Sequence, residues 1–193
     1  DQAYEKPDSS FLNRIIETSS GLPIGLSILY MAVAERVRVD LRGVSAPRHF
    51  LLRYESAEGP LYIDAFSGGR VIDESECSGW ISELSGLNGR KLAAALKPVD
   101  ARTIVIRMLN NLKALYVRLD KWPAAWKVQH RLSKLLPASY DERRDLALIA
   151  LRANRTGQAI DLLKSCLKTC AETEREVLQS HLDEAGGQLA RWN

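Results

Sequence analysis

At 193 residues, with 46% hydrophobic and 26% charged positions, the chain has the make-up of a globular protein, which excludes disorder, collagen and a coiled-coil rod. Lysine and arginine number 27 against 24 aspartates and glutamates, a formal charge of +3, too small for an electrostatic footprint on nucleic acid. The longest notable uncharged run, residues 22–34, falls well short of the roughly 20 apolar residues of a spanning helix, so neither a nucleic-acid nor a membrane partner is expected.

Three cysteines in a chain large enough to fold without staples suit a reducing compartment, and a cytoplasmic location is expected. No signal-peptide pattern opens the chain. It starts at Asp1 rather than methionine, so a segment upstream is expected.

In chain order, a polar approach at residues 7–13 leads into a short helix over 12–18. Ser19-Ser20-Gly21-Leu22-Pro23 then introduces a helix over 24–36. That helix is apolar nearly all round, through Ile24, Leu26, Ile28, Leu29, Ala32 and Val33, the pattern of a core element. Three strand-like runs follow at 39–44, 49–54 and 61–65, with Glu58-Gly59-Pro60 as the turn of an antiparallel hairpin. A four-residue loop over 55–58 would pair position 54 with 59 and 49 with 64. His49 and Asp64 then meet across the strands. A histidine oriented by a carboxylate is the base half of a nucleophilic triad. Its nucleophile would stand at a nearby helix start, where dipole and free amides lower a thiol pKa.

Lys97-Pro98-Val99-Asp100 marks a joint, because proline restrains its neighbour and Asp caps the helix that follows. Two domains are expected, 1–97 and 98–193, the second wholly helical over 103–118, 122–135, 141–153, 157–170 and 173–190. A shift of 34 residues aligns Leu112 with Leu146, Ala125 with Ala159 and Leu132 with Cys166, the tetratricopeptide period. Glu174, Arg175, Glu176, Asp183 and Glu184 suit a solvent-facing cap. Arg102, Arg107, Lys113 and Arg118 read as the wet side of the first repeat helix or, alternatively, as the lining of an acidic partner's site.

Cys166 and Cys170 share a helix face without further ligands, so no metal is expected. Gly68-Gly69 lacks the lysine and helix of a phosphate loop, and no cofactor is expected. Ser27, one turn into an apolar helix, is expected to bond a backbone carbonyl. Trp122 and Trp126, spaced i and i+4, pack between repeats or form a peptide-binding ridge.

The stretches Ser10-Phe11-Leu12-Asn13, Gly21-Leu22-Pro23-Ile24, Pro47-Arg48-His49-Phe50, Ile63-Asp64-Ala65-Phe66 with Gly68-Gly69, and Asn111-Leu112-Lys113 followed by Arg144-Asp145 together resemble a known family. This is the Sir B-type proteins, which join a transglutaminase-like, papain-like core to tetratricopeptide repeats. The resemblance implies an α+β fold: a core with an antiparallel sheet, followed by an all-α repeat region. Active relatives place a cysteine at the start of the central helix, where Leu22, Pro23 and Ile24 stand here. It therefore implies a non-catalytic interaction or regulatory module with a protein or peptide partner, His49 and Asp64 being a remnant dyad. The alternative is an amide or ester hydrolase, or an acyl transferase, with a non-cysteine nucleophile. Arg48, where the family usually has glycine, and Phe66, Trp122 and Trp126 are the candidate ligand- or partner-binding residues.

Overall fold

A computed structural model describes residues 4–191. Two compact units emerge, residues 1–108 and 109–193. In the first, a 3-10 turn at Pro7–Ser10 precedes α1 (Leu12–Thr18) and α2 (Pro23–Arg36). A four-stranded antiparallel sheet follows, in the order β1 (Arg42–Val44), β2 (Leu51–Ser56), β3 (Gly59–Asp64), β4 (Arg70–Asp73). Helices α3 (Glu74–Ser85) and α4 (Gly89–Ala95) come next, and α5 (Ala101–Arg118) runs on into the second unit.

The tight approach of α1 to α2 explains the glycines around Leu22-Pro23. A Cβ on Gly21 or Gly25 would lie 2.6 or 2.4 Å from the side chain of Ile15, which is itself buried. Pro23 sits at the first helical position, where its missing N–H costs nothing. Leu22 and Ile24 pack with Phe50 and Ile104, while Val44, Leu51, Tyr62, Ile72, Cys77 and Ile81 form the core of the sheet with α3.

The expectation that α2 is buried all round is corrected. Its first turns are covered, but Val33 is 59% and Val37 66% exposed, and with Tyr30 and Leu41 they line an apolar groove of about 400 Å³. Apolar composition says which residues are able to be buried, not how much core is on hand to bury them.

The hairpin register also differs from the expected one. Tyr54 pairs with Leu61 and Ser56 with Gly59, leaving a two-residue turn. Ser56 Oγ donates to the Gly59 carbonyl at 2.6 Å and accepts from the Glu58 N–H, while Gly59 takes φ 127, a conformation that favours glycine. This side-chain closure shortens the loop and moves the pairing by two residues, which preserves the face on which each side chain lies.

The second unit contains the end of α5, then α6 (Trp122–Leu135), α7 (Tyr140–Arg152), α8 (Thr156–Leu167) and α9 (Glu172–Ala190). Ala125, Ala159, Leu132 and Cys166 are all fully buried, as equivalent positions of a repeat require. The turns repeat too. Asp120 and Asn154 both adopt left-handed backbone, which Asp and Asn tolerate best among residues with side chains. The next N–H then bonds back to the carbonyl of Tyr116 or Ala150 at 2.8 and 2.9 Å. Glu174, expected to face solvent, turns instead toward α7: it accepts from Tyr140 Oη at 2.8 Å and Arg144 at 2.6 Å.

Candidate functional site

His49 lies just before β2, in a loop turned by Arg48, whose φ of 60° is the left-handed conformation that costs a side chain but not glycine. His49 Nε2 donates to Asp64 Oδ1 at 2.9 Å. Asp64 ends β3 and is buried. Its carboxylate also accepts from the Phe66 N–H at 2.9 Å, the Ser67 N–H at 3.3 Å and Ser67 Oγ at 2.7 Å. Burial alone would raise the Asp64 pKa. The bonds from His49, Ser67 and Phe66 outweigh it and hold the group down at about 2. With the proton fixed on Nε2, Nδ1 is the basic atom of the ring.

The imidazole is boxed by aromatic edges, Trp80 of α3 at 5.0 Å between centroids and Phe66 at 6.3 Å. Trp80 escapes a reading confined to the strands. Its signal is the spacing of Cys77, Trp80, Ile81 and Leu84, an amphipathic helix that Asp73 caps by accepting from the Glu76 N–H at 2.8 Å.

Arg107 corrects the expectation of a wet face. Its guanidinium donates to Ser45 Oγ and the Ala46 carbonyl, each at 2.7 Å, and to the His49 carbonyl at 2.8 Å. Burial lowers its pKa, with Tyr4 opposing. Burial likewise raises that of the Tyr4 phenol, which feels both Arg107 and Asp64. Sequence reasoning passed over Tyr4 and misplaced Arg107, because a basic residue at helical spacing reads the same whether it faces water or straps a loop.

No cysteine stands at the start of α2, where Leu22, Pro23 and Ile24 are buried. Cys77 belongs to the sheet core, and burial, with Glu74 and Glu76 adding, pushes its thiol up to about 12. Ser27 is buried, and its Oγ has no hydrogen-bond partner among the described residues, contrary to the expected carbonyl bond. Among those residues no cluster of histidine, cysteine and carboxylates could hold a metal.

The two repeat tryptophans part company. Trp126 stacks on His130 at 5.1 Å and lies beneath the Arg155 guanidinium at 3.6 Å. Trp122 lines a groove of about 480 Å³ with residues of α5, α7 and α9. Val117, Leu148 and Ile149 form its apolar walls. Lys113 pairs with Asp145 at 3.0 Å, and Arg152 lies over the Trp122 ring at 5.9 Å.

The Transglutaminase-like superfamily model matches residues 1–110, and a Tetratricopeptide repeat model residues 112–182. The chain belongs to the transglutaminase-like superfamily. Curated relatives include a UPF0162 protein of Xylella fastidiosa strain Temecula1, 34% identical over 93% of this chain and 65% of its own length. Another, from strain 9a5c, is 36% identical over 83% of this chain and 59% of its own length. Human F-box only protein 21 is 33% identical over 54% of this chain and 17% of its own length. The chain thus spans about 60 to 65% of the UPF0162 proteins from Xylella. No solved structure matches it significantly. No single helix among the described residues is long and apolar enough to cross a membrane. The pairing of a transglutaminase-like unit with tetratricopeptide repeats supports a protein-interaction module.

Proposed function

We propose that the chain is a non-catalytic interaction module that binds a protein or peptide partner, and that the His49–Asp64 pair positions loops rather than performing acyl chemistry. The carrying observation is the surroundings of His49. Its ring meets a carboxylate and two aromatic edges, and the helix start that would supply a thiol offers Leu22, Pro23 and Ile24. A thioester needs an activated sulfur within reach of the base, and the nearest cysteine in sequence, Cys77, is locked in the core with a raised pKa.

In this reading Asp64 joins His49 to the Phe66-Ser67 turn, and Arg107 straps the backbone on the other side. The test is a screen of the purified chain, His49→Ala and Asp64→Ala against peptide-amide, ester and amine-transfer substrates at neutral pH. The expected result is no turnover above buffer for any of the three; turnover that both substitutions abolish overturns the proposal.

A further inference from the structure

We infer that the apolar groove at the end of α2 is the contact face of a homodimer, filled by the same face of a second copy across a twofold axis. A helix that is apolar on one side needs one partner, and α2 is apolar on two. One side, through Ile24, Ile28 and Met31, packs into the core of the first unit. The other carries Leu29, Val33 and Val37, an i, i+4 row that ends at the capping residue, with Tyr30 and Ala34 as the neighbouring row. Val33 and Val37 are each more than half exposed, and Tyr30 and Val39 are exposed beside them. Four large apolar side chains on one face form a contiguous patch, unlike the scattered single exposures of an ordinary surface.

Shape and charge both suit this face to its own image. Ala34 is small and buried, and its carbonyl accepts from the Val39 N–H at 2.9 Å, which brings Val39 and Leu41 alongside as the far wall of the groove. Ridge and depression therefore lie on one helix. The valine ridge of one copy enters the depression of the other, and in an isologous contact the same fit is made twice. Tyr30 is held against the turn after β3, its hydroxyl 2.9 Å from where a Cβ on Gly69 would stand, so the face is ordered before contact. The rim carries both signs: Asp40 pairs with Arg42 at 2.7 Å, and Glu35, Arg36 and Arg38 are exposed next to them. A rim of one sign would repel its own image, whereas a mixed rim sets acid against base across the axis. An anionic membrane asks for the reverse, a rim of basic residues alone. The groove of about 400 Å³ is the centre of this contact. With its rim the contact stands near the lower limit of specific interfaces, about 1,000 Å² in total, and a Kd of about 10–100 µM is expected.

The test is sedimentation velocity of the full chain over a concentration series from about 1 to about 300 µM, which brackets the expected Kd. A reversible monomer–dimer equilibrium is expected. Two double variants are run beside it, Val33→Glu with Val37→Glu and Val33→Lys with Val37→Lys. Both change exposed positions, and circular dichroism checks that each variant is folded. Each variant alone is expected to associate about tenfold or more weakly than the parent, because like charges then face one another. An equimolar mixture of the two is expected to recover a one-to-one dimer, because an isologous contact sets each ridge against its own counterpart. A parent chain that stays monomeric throughout the series, a dimer that both charged variants leave intact, a mixture that fails to pair, or oligomers that grow beyond two overturns the inference. So does a monomer that co-sediments with vesicles of phosphatidylcholine and phosphatidylglycerol, which would assign the groove to a lipid surface.

Discussion

Replacing Asp64 with Asn keeps the shape of the side chain and removes its charge, so it isolates what ionisation of this carboxylate contributes. The group's pKa falls from an ordinary 3.8 to about 2 in the folded chain. At about 1.4 kcal/mol per unit, ionisation contributes about 2 kcal/mol to stability at neutral pH. The sign follows from the depressed pKa: the contribution is fully present above the unfolded value and is lost as pH falls from about 4 to about 2. Other carboxylates with lowered pKa, such as Asp100 and Glu174, titrate nearby, so the informative quantity is the difference between parent and variant. The assay is urea denaturation in a W122F/W126F/W192F background, where Trp80, one of four tryptophans in the chain, sits beside His49 and reports on the first unit. The difference is expected to be about 2 kcal/mol at pH 7 and to shrink toward zero near pH 2. A difference that does not change with pH, or none at pH 7, refutes the assignment of Asp64 as the charged hub of these loops.

Arg107→Met retains the apolar stem and deletes three hydrogen bonds to Ser45, Ala46 and His49; in the same denaturation assay it should cost about 3 kcal/mol, since the strapped acceptors lose a charged donor. Arg48→Gly relieves a left-handed φ of 60° at an exposed site and should raise stability by about 0.5 kcal/mol, the relief exceeding the entropy added to the unfolded chain. Ser27→Ala removes a buried hydroxyl without a partner and should be neutral or stabilising by up to about 1 kcal/mol; a loss greater than that would show the hydroxyl to be engaged.

Much of the helical half is legible because a repeat announces itself twice. Ala125 and Ala159 sit at equivalent crossings, and Asp120 and Asn154 turn the chain alike. The His49–Asp64 contact was also legible, though through a pairing that the hairpin does not use. His49 reaches Asp64 from a loop rather than from a ladder position. The loop's shape depends on Arg107, 58 residues away, and periodicity within one helix carries no trace of that contact. Trp80 was missed for a related reason: its helix is amphipathic, but its place against the imidazole is set by how β4 delivers α3 to the sheet. The exposed end of α2 shows the opposite limit, where composition promised more burial than the core provides.

The most direct test of the central claim is intact-mass measurement of the chain after incubation at neutral pH with an electrophilic acyl-transfer reagent, run in parallel with His49→Ala. The account predicts the same pattern of acyl adducts for both, since in the proposed reading the imidazole orients loops and activates no side-chain nucleophile. A single acyl adduct on the parent chain that disappears in His49→Ala would contradict it.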